Sequence, residues 1–390
     1  MNSSSKQRAL RTKQGGAANK PINLALQGGG AHGAFAWGVM DKLIEDGRLI
    51  IDGISGTSAG SMNAVVYAYG RTTGGADGAR EALEKFWKAV SDSGQRYSVV
   101  KQMFQNPFSF GAEKNFSNAS PSPSFEAMKF MTDSFSPYQL NPTNWNPLLD
   151  LLNGQIDFDR LNQCKETKLF LSATNVRSGK VRVFNTHEIT ASAVMASSCL
   201  PNLFQAVEID GEHYWDGGLV SNTPLQYVLD QPGKRRRVVF QVDLFAATGA
   251  MPATLAEVTE REKDIRFSSR TRLNTTMELD RQVIAQAAQR LIAKLPPALR
   301  DDPDVRALSR VRSESAIDVV HLIYRSKHYE SQSKDYEFSR LSMQEHWDTG
   351  RADMAHTLHD PRWVQRERST TGVHVFDLTS DGPAAKPTIT

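Results

Sequence analysis

The chain is poor in cysteine, nearly balanced in charge and without a long apolar run. Only two cysteines, Cys164 and Cys199, occur in 390 residues. Two residues build no disulfide framework, so both are expected to be buried thiols of a reducing compartment. Lys and Arg number 46 against 43 Asp and Glu, a formal net charge of +3; that balance argues against nucleic acid as a partner. No apolar stretch approaches the roughly 18 residues that span a bilayer, and no apolar h-region opens the chain. The expectation is a cytoplasmic protein without a transmembrane segment, one that meets a membrane only at its periphery. No set of His, Cys, Asp and Glu has metal-ligand spacing, so no metal is expected. The length suffices for a large core, as one big domain or as a domain with an extension.

The informative stretch is Ile54-Ser55-Gly56-Thr57-Ser58-Ala59-Gly60. The β-branched run Leu49–Ile54 before it reads as a buried strand, and Ser61–Tyr69 after it as a helix ending at Gly70. Gly56 and Gly60 leave room for a sharp strand-to-helix turn. Such a turn lifts the Ser58 hydroxyl clear of the backbone, with a helix N-terminus behind it that favours developing negative charge. That is the geometry of a nucleophile elbow; the plainer reading is a Gly/Ser connector.

A second strand, Ile22–Leu26, runs directly into Gln27-Gly28-Gly29-Gly30-Ala31-His32-Gly33 and then a helix to Gly47. Two readings compete. Gly28-x-Gly30-x-x-Gly33 fits a dinucleotide fingerprint, with Asp52 at a suitable distance to hold a ribose. Alternatively, the loop's backbone N–H groups form an oxyanion hole serving Ser58. The second reading uses both loops; the first leaves the serine turn unexplained. Further on, two short strands joined at Asp210-Gly211 lead into Asp216-Gly217-Gly218, which alone reads as a turn.

Together, and in this order, the three motifs resemble the patatin-like phospholipase family over about residues 22–230. The resemblance implies a three-layer α/β/α fold with a mainly parallel central sheet, and a Ser–Asp dyad acyl hydrolase that needs no cofactor. By it, Ser58 is the nucleophile, Asp216 the base, and Gly28, Gly29 and Gly30 the oxyanion donors, with Gly33, Gly56, Gly60, Gly217 and Gly218 supporting the motifs. His32 stands where many members carry Arg or Lys. The implied substrate is a lipid at a membrane surface: a phospholipid or lysophospholipid, or another apolar ester such as a thioester or polyester oligomer. A nucleotide-binding protein built on Gly28–Gly33 is the alternative of another class. A Ser–His–Asp triad would need a late histidine, from among His321, His328, His346, His356, His359 and His374.

Around this core the chain divides by composition. Residues 1–20 carry Lys6, Arg8, Arg11, Lys13 and Lys20 and no acid. They read as a disordered, solvated basic tail, with attraction to anionic lipid as the alternative. Residues 21–245 form the catalytic domain. Its insertion, 93–160, is rich in Phe and Met and is expected as a lid or capping subdomain, with Phe108 and Phe110 as candidate acyl-chain contacts. Residues 246–365 read as a mostly helical extension with one further strand, Ile317–Ile323. In that extension Leu273, Met277, Ile284, Ala287, Leu291 and Leu295 share one helical face, and Ser342-x-x-Glu345 offers a cap. That region is expected to complete the sheet edge or to form a dimer surface, so a homo-oligomer is left open. Residues 366–390 read as a disordered tail.

Overall fold

Strand β1 (Lys20–Leu26) begins exposed and is fully buried from Ile22 onward. Its side chains alternate between two faces, as the pleat requires. Leu24 and Leu26 join one hydrophobic cluster with Phe35, Val39 and Ile54. Ala25 joins another with Phe170, Leu225, Val228, Val239 and Ile317. A strand apolar on both faces belongs in the middle of a sheet covered on both sides. The computed structural model describes residues 20–105, 136–141, 143–201, 203–229, 236–309, 316–325, 338–366 and 372–378.

After β1 come α1 (Gly33–Asp46), β2 (Leu49–Gly56) and the long α2 (Ala59–Gln105), then α3 (Pro147–Gln155), β3 (Lys168–Asn175) and β4 (Val181–Asn185). Next are α4 (Ala191–Ser197), β5 (Val207–Ile209), β6 (Glu212–Asp216), α5 (Leu225–Leu229) and β7 (Arg236–Asp243). The principal elements end with α6 (Leu255–Ile292), β8 (Ala316–Ile323), α7 (Arg340–His359) and β9 (Gly372–Asp377). The sheet runs β5-β6-β3-β2-β1-β7-β8-β9, with β4 also on β3. The β3-β2-β1-β7-β8-β9 run is parallel throughout; β4 and β6 pair with β3 antiparallel. Helices α1, α2 and α7 pack together over one face, and α5 and α6 lie over the other. The fold is the expected three-layer α/β/α sandwich.

Three expectations change. The helix after the elbow does not end at Gly70. It continues and breaks at Gly74 and Gly75, the latter at φ 66°. Gly70 instead serves close packing, since a Cβ there would lie 2.5 Å from the Gly78 carbonyl oxygen. In the C-terminal region β8 falls on the run Ile317–Ile323 read as a strand and extends the sheet, but β9 adds residues 372–377, within the stretch read as a disordered tail. Ser339, not Ser342, caps α7; its hydroxyl accepts from the Ser342 N–H. The apolar face of α6 points outward: Leu273, Met277, Ile284 and Leu291 are all about 60 % exposed.

Helix α7 is fixed to α1 by a crossing that tolerates no side chain. A Cβ on Gly38 would strike the Trp347 carbonyl, and one on Gly350 would strike the Phe35 carbonyl. Beside the crossing, the buried Asp41 carboxylate accepts from Arg80 at 2.6 Å and also from Arg351. Among the described residues no helix is long and apolar enough to cross a membrane.

Candidate active site

Strands β1 and β2 are in register at their C-terminal ends, Leu26 opposite Gly56. The glycine loop that follows β1 and the serine turn that follows β2 therefore emerge side by side. Ser58 sits at φ 54°, in the left-handed region. For a residue with a Cβ that conformation costs about 1–3 kcal/mol, so the surroundings must hold it. They do so through its backbone. The Ser58 N–H donates to the Ser197 hydroxyl at 3.0 Å and lies 3.2 Å from the Ser197 carbonyl oxygen. Ser197 Oγ in turn donates to the Ser172 carbonyl at 2.7 Å and lies 2.6 Å from Ser61 Oγ. Thr57 Oγ1 is 2.5 Å from Ser172 Oγ and 2.9 Å from the Ser221 carbonyl. The turn is thus riveted to β3 and α4 by buried hydroxyls.

The motif glycines are spacers in this packing. A Cβ at Gly60 would strike the Leu26 carbonyl, one at Gly56 would lie 2.6 Å from Gly60, and one at Gly217 would strike the Ser172 carbonyl. At Gly33 a Cβ would come 2.6 Å from that of Ala59, joining the start of α1 to the start of α2. Asn63 strengthens this junction, donating to the Gly33 carbonyl and accepting from Trp87 Nε1 at 2.8 Å.

Asp216 ends β6, paired with Ala173 of β3. Its N–H donates to the Cys199 carbonyl at 2.7 Å, and its Oδ1 accepts from the Gly218 N–H at 2.7 Å. The carboxyl is buried, with the Ser58 side chain beside it. Burial pushes its pKa up to about 6, against the Gly218 bond and the Ser58 side chain, which pull it down. The neighbouring Cys199 thiol, buried and facing the Asp216 charge, is pushed up to about 12. Both cysteines are free and buried, as expected.

The glycine loop lies directly over the serine. A Cβ on Gly28 would come 2.8 Å from Ser58 Cβ and 2.8 Å from Asn222 Oδ1. Here one expectation shifts: the Gly28 N–H donates to Asn222 Oδ1 at 3.2 Å, while Asn222 Nδ2 returns a bond to the Gly28 carbonyl at 3.3 Å. Gly28 is held by Asn222 rather than turned to a ligand. Gly29 and Gly30 follow, with Gly30 at φ 55°. From below, Gln27 secures the loop: its Oε1 accepts from Leu244 and Phe245 N–H at 2.5 and 3.0 Å, and its Nε2 donates to Thr271 of α6 at 2.6 Å.

Sequence reasoning missed Asn222, Ser197 and Gln27. The only signal was the polar run Ser221-Asn222-Thr223, which is buried throughout. The dinucleotide reading loses its carboxylate, because Asp52 sits at the β1–β2 register slip, four residues before β2 ends beneath the loop. Of the triad candidates, His321 and His374 lie within β8 and β9, and His346 packs against Tyr324. His356 and His359 lie in the last turns of α7. His328, Phe108 and Phe110 lie outside the described residues, as do residues 106–135 of the 93–160 insertion. Among the described residues no group of three His, Cys, Asp or Glu converges as a metal site.

The sequence profile of a family described as patatin-like phospholipase matches residues 24–229, and one described as patatin phospholipase matches 265–370. VipD from Legionella pneumophila is similar at 16% identity and a TM-score of 0.34, over 84% of this chain and 67% of that one. The ExoU–SpcU complex of the type III secretion system of Pseudomonas aeruginosa is similar at 16% identity and TM-score 0.31, over 89% of this chain and 78% of that one. No sequence relative is found among proteins of curated function.

Proposed function

The chain belongs to the patatin-like phospholipase family, and from that premise we propose that it hydrolyses lipid acyl esters through a Ser58 acyl-enzyme, with Asp216 as the sole base. The observation that carries the proposal is a serine held at φ 54° beside a buried carboxyl whose pKa is pushed up to about 6 and on whose titration the Ser58 side chain acts. A carboxylate with an ordinary pKa near 3.9 is a poor base at neutral pH; one near 6 remains ionised there and accepts a proton more readily.

The reaction follows from the arrangement. Ser58 Oγ attacks the ester carbonyl carbon and its proton passes to Asp216. The tetrahedral oxyanion forms beneath the glycine loop, where the N–H groups of Gly29 and Gly30 stabilise it while Asn222 holds Gly28 in place. Collapse expels the alcohol, which takes the proton from Asp216. Water then attacks the acyl carbon as it gives a proton to the same carboxylate; the Ser58 Oγ–acyl bond breaks, the fatty acid leaves, and Asp216 returns the proton to Ser58 Oγ. The helix N-terminus of α2 adds its field to each charged state.

The test uses a fluorophosphonate probe and a phospholipid substrate. Wild type should be labelled at Ser58 and release fatty acid; Ser58→Ala should do neither. Equal labelling of the two proteins, at another serine, would overturn the assignment.

A further inference from the structure

The glycine loop has two side-chain anchors, Gln27 beneath it and Asn222 beside it. Both lead to one buried carboxyl that the reaction does not use. Asp243 ends β7 and is 7 % exposed. Its Oδ1 and Oδ2 accept from Gln241 Nε2 at 3.2 and 2.9 Å, and Oδ1 also accepts from the Thr223 hydroxyl at 3.4 Å. Thr223 directly follows Asn222, whose side chain holds both the N–H and the carbonyl of Gly28. The Thr223 hydroxyl lies 3.2 Å from that of Thr271 on α6, and Thr271 accepts from Gln27 Nε2 at 2.6 Å. Gln27, Thr223, Gln241 and Thr271 are all buried, so each must find its partners within the protein.

The two ends of this chain fix the direction of every proton in it. Gln27 Oε1 accepts from the N–H groups of Leu244 and Phe245, which turns Nε2 toward Thr271 as a donor. At the other end Thr223 gives its single proton to Asp243, so its oxygen is left to receive the proton of Thr271. Gln27 thus donates to Thr271, Thr271 to Thr223, and Thr223 to Asp243. A second arm enters the same carboxyl: Thr275 donates to Gln241 Oε1 at 3.2 Å, and Gln241 donates to Asp243. Among the described residues, the side chains of that arm bond neither to the glycine loop nor to Gln27 or Asn222.

We infer that Asp243 is a positioning residue for the candidate oxyanion loop, the common acceptor that orders the hydroxyls behind Gln27 and beside Asn222. Its effect on rate rests on the hydrolase reading above; the network itself does not. Without an ordered acceptor the Gln27 amide is free to turn over. Leu244 and Phe245 then lose the oxygen that holds them, and these two residues wall Gly29. The damage falls on the placement of the oxyanion donors, which matters in the transition state more than in substrate binding.

The variants cut the network at chosen links. Asp243→Asn keeps the shape but has one acceptor oxygen. Gln241 makes the shorter contact and claims it, so the new amide faces Thr223 as a donor. The order reverses at Thr223, and the Thr271 proton loses its acceptor. Thr271→Val removes the middle link at nearly constant shape. Thr275→Val removes a buried hydroxyl from the same helix but cuts only the second arm.

The experiment follows the full chain on a short soluble ester and by hydrogen exchange read by mass spectrometry. Asp243→Asn and Thr271→Val should each lower kcat about tenfold with KM within about twofold of wild type. The double variant should fall no further than the weaker single, since both changes cut one chain. The Leu244 and Phe245 amides should exchange about tenfold faster in both. Thr275→Val should lower the urea midpoint while keeping the wild-type kcat and the protection of those amides. A Thr275→Val variant that loses as much kcat as Thr271→Val would overturn the inference, because destabilisation alone would then explain the loss. So would a wild-type kcat in Thr271→Val, or losses that multiply in the double variant. Should Asp243→Asn fail to fold, Thr271→Val against Thr275→Val decides by itself. A wild type inactive on esters, in which the two amides still respond as described, would sustain the network and count against the hydrolase reading.

Discussion

Replacing Asp216 by Asn should destroy turnover and at the same time stabilise the protein, by an amount that depends on pH. The carboxyl is buried, and its pKa rises from an ordinary 3.8 to about 6. About two pKa units correspond to about 3 kcal/mol. The sign follows from linkage. A carboxyl whose folded pKa lies above its unfolded value favours folding when protonated, and that contribution is lost as pH rises through the folded value. Above about pH 7 the ionised Asp216 therefore costs up to about 3 kcal/mol, and below pH 4 the cost disappears. Asn retains an Oδ1 to accept from Gly218 N–H and carries no charge. Urea midpoints of wild type and Asp216→Asn should thus separate at pH 8, with Asn the more stable, and converge near pH 4. A gap independent of pH, or an Asn variant weaker at pH 8, would refute the account of a desolvated base. The kinetics supply a second arm. Only the ionised carboxylate accepts the Ser58 proton, so kcat/KM should fall about tenfold per pH unit below 6. Each histidine variant should keep that limb unchanged.

Other expectations follow from contacts already described. Asn222→Ala removes both bonds to Gly28 and should lower kcat by about tenfold to a hundredfold with little effect on folding, as read from kcat and the melting temperature of the same preparation. Gly28→Ala sets a Cβ 2.8 Å from Ser58 Cβ and should abolish fluorophosphonate labelling in a protein with a wild-type circular dichroism spectrum. Ser197→Ala leaves the Ser58 N–H without the hydroxyl that accepts from it and should cost about 1–3 kcal/mol of stability as well as activity, measured by urea unfolding beside single-turnover rates. Gly350→Val drives a side chain into the Phe35 carbonyl and should detach α7 from α1, seen as early loss of the chain's cooperative melting.

The catalytic half was legible because its strands and turns carry strong local signals. Ile22–Leu26 and Leu49–Ile54 are short apolar runs that stop at glycines, and the parallel register of β1 and β2 brings their loops together without further information. The hairpin at Asp210-Gly211 was equally plain, since both residues take positive φ there, at 52° and 78°. What the sequence hid lies in side chains whose partners are far along the chain. Asn222 meets Gly28 across 194 residues and Ser197 meets Ser58 across 139. Neither Asn nor Ser announces such a role, because both types are commoner in turns than in buried contacts.

In the C-terminal half periodicity reports amphipathicity but not which face is buried. Leu273, Met277, Ile284 and Leu291 give a clear helical stripe, and a stripe of that kind normally faces the core. Here the ends of β1 and β7 present polar groups instead, Gln27, Gln241 and Asp243, and the burial of Asp243 holds its carboxyl above the usual range. An apolar helix face laid over them would take the α6 partners from Gln27 Nε2 and Gln241 Oε1, at a cost of about 1–3 kcal/mol apiece. The threonines and glutamines of α6 satisfy that requirement, so α6 turns its polar face inward and its leucines are left outside. The same choice binds the two halves of the protein. Thr271 reaches Gln27, Gln27 fixes Leu244 and Phe245, and those two residues wall the glycine loop. The region that carries no catalytic motif therefore sets the floor on which the candidate oxyanion loop rests.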